Sequence, residues 1–197
     1  VGTRNFIRHY ESRLPRYRAM FEQAGIEWGV DWRLLAAIGY QESHWRSQAV
    51  SPTGVRGIMM LTEATADYLD IEDRRDPRSS IFGGAQYFVR QTERVADDVP
   101  EPDRTWMALA AYNVGFNHLK DAQQIAEWRG GDRTLWLDVS ESLPLLAQRK
   151  WYSRVPFGYA RGWEPVLYVD NIRQYYNILQ WLTENEEIES AEITETN

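Results

Sequence analysis

Apolar residues recur at helical spacing along almost the whole chain, and glycine or proline interrupts the pattern at intervals. Almost no stretch alternates apolar and polar residues as a half-buried strand does. The pattern therefore predicts an all-α architecture with irregular loops. The predicted helices are 4–13 (a turn or short helix), 15–25, 31–42, 62–69, one from 77, 103–113, 117–129, 134–146 and a long one from 164. Residues 45–61 are predicted to form a loop or irregular strand pair, and 150–163 an aromatic loop.

Residues at the predicted helix ends set several boundaries. Asp31 and Asp103 each precede an apolar helical stripe, and an aspartate there can accept a hydrogen bond from the first helical turn. Both are predicted to be N-caps. Pro15 suits the first turn of a helix, and Gly25 is predicted to end that helix.

Composition indicates one folded domain with an acidic tail. A chain of 197 residues with 43% hydrophobic content can fill one core, and we assign 1–183 to a single domain. Residues 184–197 carry six Glu and no Lys or Arg, so they are expected to be disordered. The net charge of −7 becomes −7 + 6 = −1 without this tail. The body has no basic stripe, which argues against nucleic acid as a partner.

The residue types that bind metals show no suitable spacing. The chain has no cysteine, and His9, His44 and His118 do not follow a ligand pattern. Residues 70–76 are acidic but lack the glycine and the final glutamate of a calcium loop. No apolar run is long enough to cross a bilayer. We therefore expect no metal and no cofactor.

Glu42 is the candidate catalytic acid. It lies seven residues after Leu35 on the predicted helix, and at about 3.6 residues per turn it falls on the same apolar stripe. A carboxyl group placed there is partly desolvated, which raises its pKa toward the range that a general acid needs. The alternative is an ordinary capping or salt-bridging glutamate.

A second polar residue falls on an apolar stripe. Asn113 continues the stripe that contains Trp106 and Leu109, at the C-terminal end of its helix. Because buried polar groups need partners, we expect Asn113 and Glu42 to line one cleft between helices. The alternative is that Asn113 caps its own helix beside Gly115. Met59 and Met60 are either core residues or the flexible apolar lining of a groove.

Four ordered segments resemble the motifs of lytic transglycosylases with a goose-type-lysozyme-like catalytic domain. The resemblance covers about residues 15–182 and implies a lysozyme-like helical fold. Four motifs in the right order are far more specific than any one of them. The segments are Glu42-Ser43, the loop 54–62 (Gly-Val-Arg-Gly-Ile-Met-Met-Leu-Thr), 108–115 (Ala-Leu-Ala-Ala-Tyr-Asn-Val-Gly) and 168–172 (Tyr-Val-Asp-Asn-Ile).

The resemblance implies cleavage of the β-1,4 bond between N-acetylmuramic acid and N-acetylglucosamine in peptidoglycan, without net addition of water. Most glycosidases use two carboxylates, and no motif places a second one here. In the family the substrate's acetamido group assists a single acid, here Glu42, and a 1,6-anhydro ring forms. The resemblance also assigns substrate contacts. Ser43 and Asn113 would bind sugar, Met59 and Met60 would line the groove, Tyr112 and Tyr168 would lie beside the acid, and Glu164 would be cleft wall or support.

Many relatives carry glutamine where this chain has Met60, which removes an amide that could contact sugar. The resemblance further implies a monomer that acts on glycan strands, with an N-terminal solute-binding-like domain in the full-length protein. That protein would lie in the periplasm, associated with the outer membrane. Two alternatives stay open: a hydrolytic lysozyme with the same fold, and a non-catalytic glycan-binding module.

Overall fold

The computed structural model describes residues 2–195, with side chains over residues 2–188. Within this part of the chain no strand occurs, and only two isolated β-bridges interrupt the helices and loops, so the all-α prediction is confirmed. The helices are α1 (Thr3–Ser12), α2 (Arg18–Trp28), α3 (Trp32–Ser43), α4 (Glu63–Tyr68), α5 (Pro77–Arg94), α6 (Asp103–Val114), α7 (Phe116–Trp128), α8 (Trp136–Ser142), α9 (Arg149–Tyr152) and α10 (Trp163–Glu195).

Tertiary contacts divide the chain into two compact units. The first contains residues 1–85 and 171–197, and the second contains residues 86–170. The boundaries fall within α5 and within α10. The assignment of 1–183 to one catalytic domain stays a prediction, because two contact units can together form one functional domain.

Helix α3 forms the centre of the first unit. Asp31 caps it as predicted, since its carboxylate accepts a hydrogen bond from the Arg33 N–H at 2.9 Å. The same carboxylate also binds the Arg33 guanidinium and the Tyr176 hydroxyl, the latter at 2.8 Å. Every residue from Leu34 to Tyr40 is buried. Helix α3 is therefore enclosed on all sides except at its two ends.

The loop after α3 is irregular but tightly held. Arg56 and Leu61 exchange two backbone hydrogen bonds, and the Gly57 N–H donates to the Ala49 carbonyl at 3.0 Å. Arg74 donates to the Leu61 carbonyl at 3.0 Å. Only isolated bridges occur in this segment, at Arg56, so it is a loop, which is one of the two predicted alternatives. Ile58 of this loop is fully buried in the core of the first unit.

Helix α2 does not end where the sequence predicted. It continues through Gly25 to Trp28 and ends at Gly29, which has φ of 66°. Gly25 is needed for a different reason, because a Cβ there would lie 2.6 Å from the Val30 carbonyl oxygen. The glycine allows close approach of the backbone to the next segment instead of ending the helix.

Asp103 also has a different role from the predicted one. It lies in the first turn of α6, and its carboxylate accepts a hydrogen bond from the Trp136 N–H at the start of α8, at 2.6 Å. Glu101 instead accepts from the Thr105 N–H at 3.1 Å. Asp103 therefore links two helices of the second unit. Glu101 instead accepts the hydrogen bond from an N–H group in the first turn of α6.

The acidic C-terminal segment is continuous with helix α10, and its disorder stays a prediction. Helix α10 continues to Glu195, so most of the segment 184–197 is helical, and residues 196–197 lie outside the described residues. Glu186 accepts hydrogen bonds from Tyr10 and from Arg18, the latter at 2.8 Å. These contacts on α1 and α2 oppose the charge repulsion expected in an isolated acidic segment. The predicted aromatic loop 150–163 likewise includes the short helix α9.

Candidate active site

Glu42 lies in the last turn of α3 and is half-buried. The two residues that follow the helix, His44 and Trp45, both adopt left-handed backbone conformations with φ of 53° and 54°. Such conformations are costly for residues with a Cβ and persist only where surrounding contacts enforce them. The chain therefore turns sharply just after Glu42, at a point of backbone strain.

Several contacts in the first unit enforce this turn. The Arg13 guanidinium donates to the His44 carbonyl at 2.9 Å, and the Arg46 side chain donates to the Ser43 carbonyl at 3.1 Å. Both cations also lie at a helix C-terminus, where positive charge is favourable. The indole N–H of Trp45, a residue only 1% exposed, donates to the Ala36 carbonyl at 2.8 Å. The end of α3 is consequently fixed from three directions.

Ser43 belongs to the same turn. It is 3% exposed, and its hydroxyl donates to the Gly39 carbonyl at 3.1 Å and accepts from the Arg46 N–H at 3.2 Å. These bonds give Ser43 a structural role beside Glu42. A contact of its hydroxyl with sugar, which the sequence predicted, stays a prediction.

A buried aromatic and histidine cluster supports the end of α3. His9 Nδ1 lies 3.0 Å from the Tyr40 hydroxyl, and the His44 ring lies 4.8 Å from the Tyr40 ring. Burial raises the pKa of Tyr40 to about 12, so the phenol stays protonated. Burial and the nearby positive charges, mainly Arg13 for His9 and Arg46 for His44, lower the pKa of both histidines.

This cluster predicts a pH-dependent stability. The unfolded chain binds protons on these histidines near pH 6.5, whereas the folded chain binds them only at lower pH. The free energy of unfolding should therefore be highest above about pH 7 and decrease as the pH falls toward about 5. In a His9→Gln variant this decrease should be smaller, with His44 supplying the remainder. Urea unfolding at several pH values in this range measures the free energy of unfolding. If this free energy fell as steeply with pH in the variant as in the parent, His9 would not contribute to the pH dependence.

Met59 packs in the core of the first unit. It is completely buried, and its side chain lies against Gly84 of α5, where an added Cβ would come within 2.6 Å of it. Its sulfur would lie 3.3 Å from a Cβ at Gly39 of α3. Met59 is therefore a core residue of the first unit, which is one of the two alternatives that the sequence left open. The groove lining that the resemblance implied for it stays a prediction. Met60 is half-exposed with φ of 49°, and groove contact remains a prediction for it.

The second unit brings together the two predicted tyrosines. The Tyr112 ring of α6 is stacked 6.5 Å from the Tyr168 ring of α10, and it meets the Tyr87 ring of α5 edge-on at 5.0 Å. Tyr168 is 4% exposed, so it supports the cluster from inside. Tyr87 was not predicted from the sequence, because nothing in its helical position distinguishes it from an ordinary packing residue.

The other two predicted residues of this unit lie on the surface. Asn113 is exposed, which corrects its predicted placement on a buried stripe, because α6 ends at the next residue and the stripe does not extend that far. Glu164 is exposed in the first turn of α10 and pairs with Arg161 at 3.2 Å. A surface pair of this kind contributes little stability. Both side chains are accessible to a ligand.

Comparison with known proteins identifies the family. Residues 19–134 match the family described as "Transglycosylase SLT domain". The chain belongs to this family. The matched range includes α3 with Glu42, the loop with Met59 and Met60, and all of α6.

Relatives within the family are similar over nearly the whole chain. A protein of Marinobacter nauticus named membrane-bound lytic murein transglycosylase F is 61% identical over 184 residues, which are 93% of this chain and 37% of the relative. A protein of Alkalilimnicola ehrlichii named membrane-bound lytic murein transglycosylase F 1 is 63% identical with the same coverage. The chain therefore spans well under half the length of these curated relatives. Along residues 2–195, no helix is long and apolar enough to cross a membrane.

A solved structure has the same fold. An inactive mutant of the lytic transglycosylase Slt from Pseudomonas aeruginosa superposes with a TM-score of 0.62 at 21% identity. The match covers 85% of this chain and 24% of that one. The predicted lysozyme-like helical fold is thereby confirmed.

Proposed function

We propose that the chain is the catalytic domain of a lytic transglycosylase that cleaves the glycan strands of murein. The observation that carries this proposal is the identity of 61% and 63% with relatives named lytic murein transglycosylases, over 93% of the chain. The half-buried Glu42 at the constrained end of α3 supplies a suitable acid.

Glu42 acts twice in the proposed mechanism. As a carboxylic acid it first protonates the glycosidic oxygen between N-acetylmuramic acid and N-acetylglucosamine. As that bond breaks, the acetamido oxygen of the muramic acid bonds to C1 and gives an oxazolinium ion. The Glu42 carboxylate then removes the proton of the C6 hydroxyl, whose oxygen attacks C1, displaces the acetamido oxygen and closes the 1,6-anhydro ring. No water is consumed, and Glu42 ends in its starting form.

Two features support this single-carboxylate scheme. The contacts of Arg13, Arg46 and Trp45 fix the turn after Glu42, which limits the motion of a group that must both give and take a proton. No family-like motif supplies a second carboxylate to act as nucleophile. We assign substrate contacts to Met60, Tyr112 and Asn113.

The full-length protein is proposed to lie in the periplasm at the outer membrane, with a solute-binding-like N-terminal domain. Relatives named membrane-bound support the location, and the 37% coverage of their length leaves room for such a domain. The catalytic domain itself is proposed to act as a monomer.

Release of soluble fragments from purified murein tests the proposed activity. The chain should convert insoluble murein to soluble muropeptides at a rate proportional to its concentration. A non-catalytic glycan-binding module would bind the murein without releasing fragments, and that result would overturn the proposal.

A further inference from the structure

The segment 149–163 in the second unit is strongly basic in an acidic chain. It contains Arg149, Lys150, Arg154 and Arg161 and no Asp or Glu, whereas the whole chain has a net charge of −7. Five aromatic residues lie in the same segment. Such a local concentration of positive charge and aromatic rings indicates an anionic partner.

Contacts with aromatic rings orient two of these cations, Lys150 and Arg154. The Arg154 guanidinium carbon lies 4.6 Å from the Trp128 ring centroid and 5.7 Å from that of Trp151. The Lys150 ammonium lies 5.3 Å from the Trp151 ring. Within the described residues Arg149, Lys150 and Arg154 form no salt bridge. A stacked guanidinium keeps the N–H donors at its edge for a ligand. We call Trp128, Arg149, Lys150, Trp151 and Arg154 the basic-aromatic surface.

The chain beside this surface is held in place. Asp121, which is 2% exposed, accepts a hydrogen bond from the Phe157 N–H at 3.0 Å. The Ala160 N–H donates to the Leu146 carbonyl at 3.1 Å, and an added Cβ at Gly162 would lie 1.6 Å from the Leu143 carbonyl oxygen. The surface is therefore formed before any ligand arrives, which lowers the entropic cost of binding.

We propose that the basic-aromatic surface binds the acidic peptide stems attached to murein glycans. This proposal rests on the proposed function, since it names a second feature of the same substrate. The sugar rings of murein carry no charge of their own, whereas the stems carry free carboxylates, which a guanidinium edge can bind through two parallel hydrogen bonds. A lipid surface fits less well, because the charged Arg154 guanidinium lies over the rings of Trp128 and Trp151 and would have to enter the bilayer with them.

Binding measurements in a Glu42→Gln background test this inference without cleavage of the ligand. The parent should bind peptide-bearing murein about tenfold more tightly than glycan strands from which an amidase has removed the peptides. Replacement of Arg149, Lys150 and Arg154 by alanine should abolish this difference. A control with Arg4, Arg8 and Lys120 replaced by alanine has the same net charge and should retain the difference.

Two results would overturn the proposal. The first is a triple variant of the surface that still prefers peptide-bearing murein as strongly as the parent does. The second is a parent that binds phosphatidylglycerol vesicles but shows no preference for peptide-bearing murein. With Glu42 intact, the triple variant should cleave peptide-free glycan strands at the parental rate. Absence of cleavage by the chain with Glu42 and the basic-aromatic surface both intact would refute the proposed function and leave the binding result unaffected.

Discussion

Replacement of Glu42 by glutamine should lower the rate of murein cleavage about a thousandfold or more. The amide has nearly the same shape as the carboxyl group but can neither protonate the leaving oxygen nor accept the C6 proton. General acid or base catalysis contributes about 10²–10⁴ to a rate, and in this scheme one group supplies both. Release of soluble muropeptides from purified murein, followed over time, measures the loss.

The fold and the affinity for murein should survive this change. Glu42 is half-buried at a helix end whose shape depends on Arg13, Arg46 and Trp45, none of which is altered. Glu27→Gln provides a matched control, because Glu27 is an exposed residue of α2 with the same side chain. This control should cleave at the parental rate. If Glu42→Gln also cleaved at that rate, Glu42 would not be the catalytic acid.

Replacement of Gly57 by alanine should destabilise the protein by about 3 kcal/mol. Gly57 has φ of 86°, and a Cβ at this position would lie 1.9 Å from the Arg74 carbonyl oxygen. The clash is with backbone, so no side-chain rotation can relieve it. The loop would have to move away from Arg74 and take Ile58 and Met59, both fully buried, out of their positions.

Gly54→Ala separates this clash from the cost of backbone conformation. Gly54 has φ of 83°, close to that of Gly57, but no atom lies within 4 Å of its added Cβ. Its replacement should cost only about 1 kcal/mol. Urea unfolding of both variants gives the comparison. Equal losses would show that the contact between Gly57 and Arg74 does not restrain the loop.

Local chemistry explains what the sequence could predict about the fold. The cap at Asp31 depends on an N–H two residues away, so the residue type and its position are enough to find it. The helical stripe and the irregular loop are likewise properties of neighbouring residues. By contrast, Gly25 looks like a helix end, and only its close approach to Val30 shows why glycine is needed inside the helix.

Long-range contacts explain most of what the sequence did not predict. Residues 184–197 have the composition of a disordered tail, yet α10 continues as far as residue 195, and Glu186 bonds to Tyr10 and Arg18, which are far away in sequence. Asp103 similarly bonds to Trp136 instead of capping its own helix. Neither partner can be inferred from helical periodicity.

The candidate site shows the same contrast between features that follow from neighbouring residues and features that depend on distant ones. Helical periodicity singled out Glu42, and the motif resemblance singled out Tyr112 and Tyr168, whose rings the structure stacks together. Their roles toward substrate stay predictions. Periodicity could not show that Met59 points into the core, because an apolar residue in a loop can face either way. Nor could it identify Arg13, which reaches the end of α3 from a segment distant in sequence.

The mass of the products released from purified murein tests the central claim most directly. If Glu42 acts as the single acid and base, each new muramic acid end carries a 1,6-anhydro ring and is lighter by one water than a hydrolysed end. Digestion in ¹⁸O-labelled water should then leave these ends unlabelled. Products with a free reducing end that contain the label would contradict the mechanism and identify a hydrolytic lysozyme with the same fold.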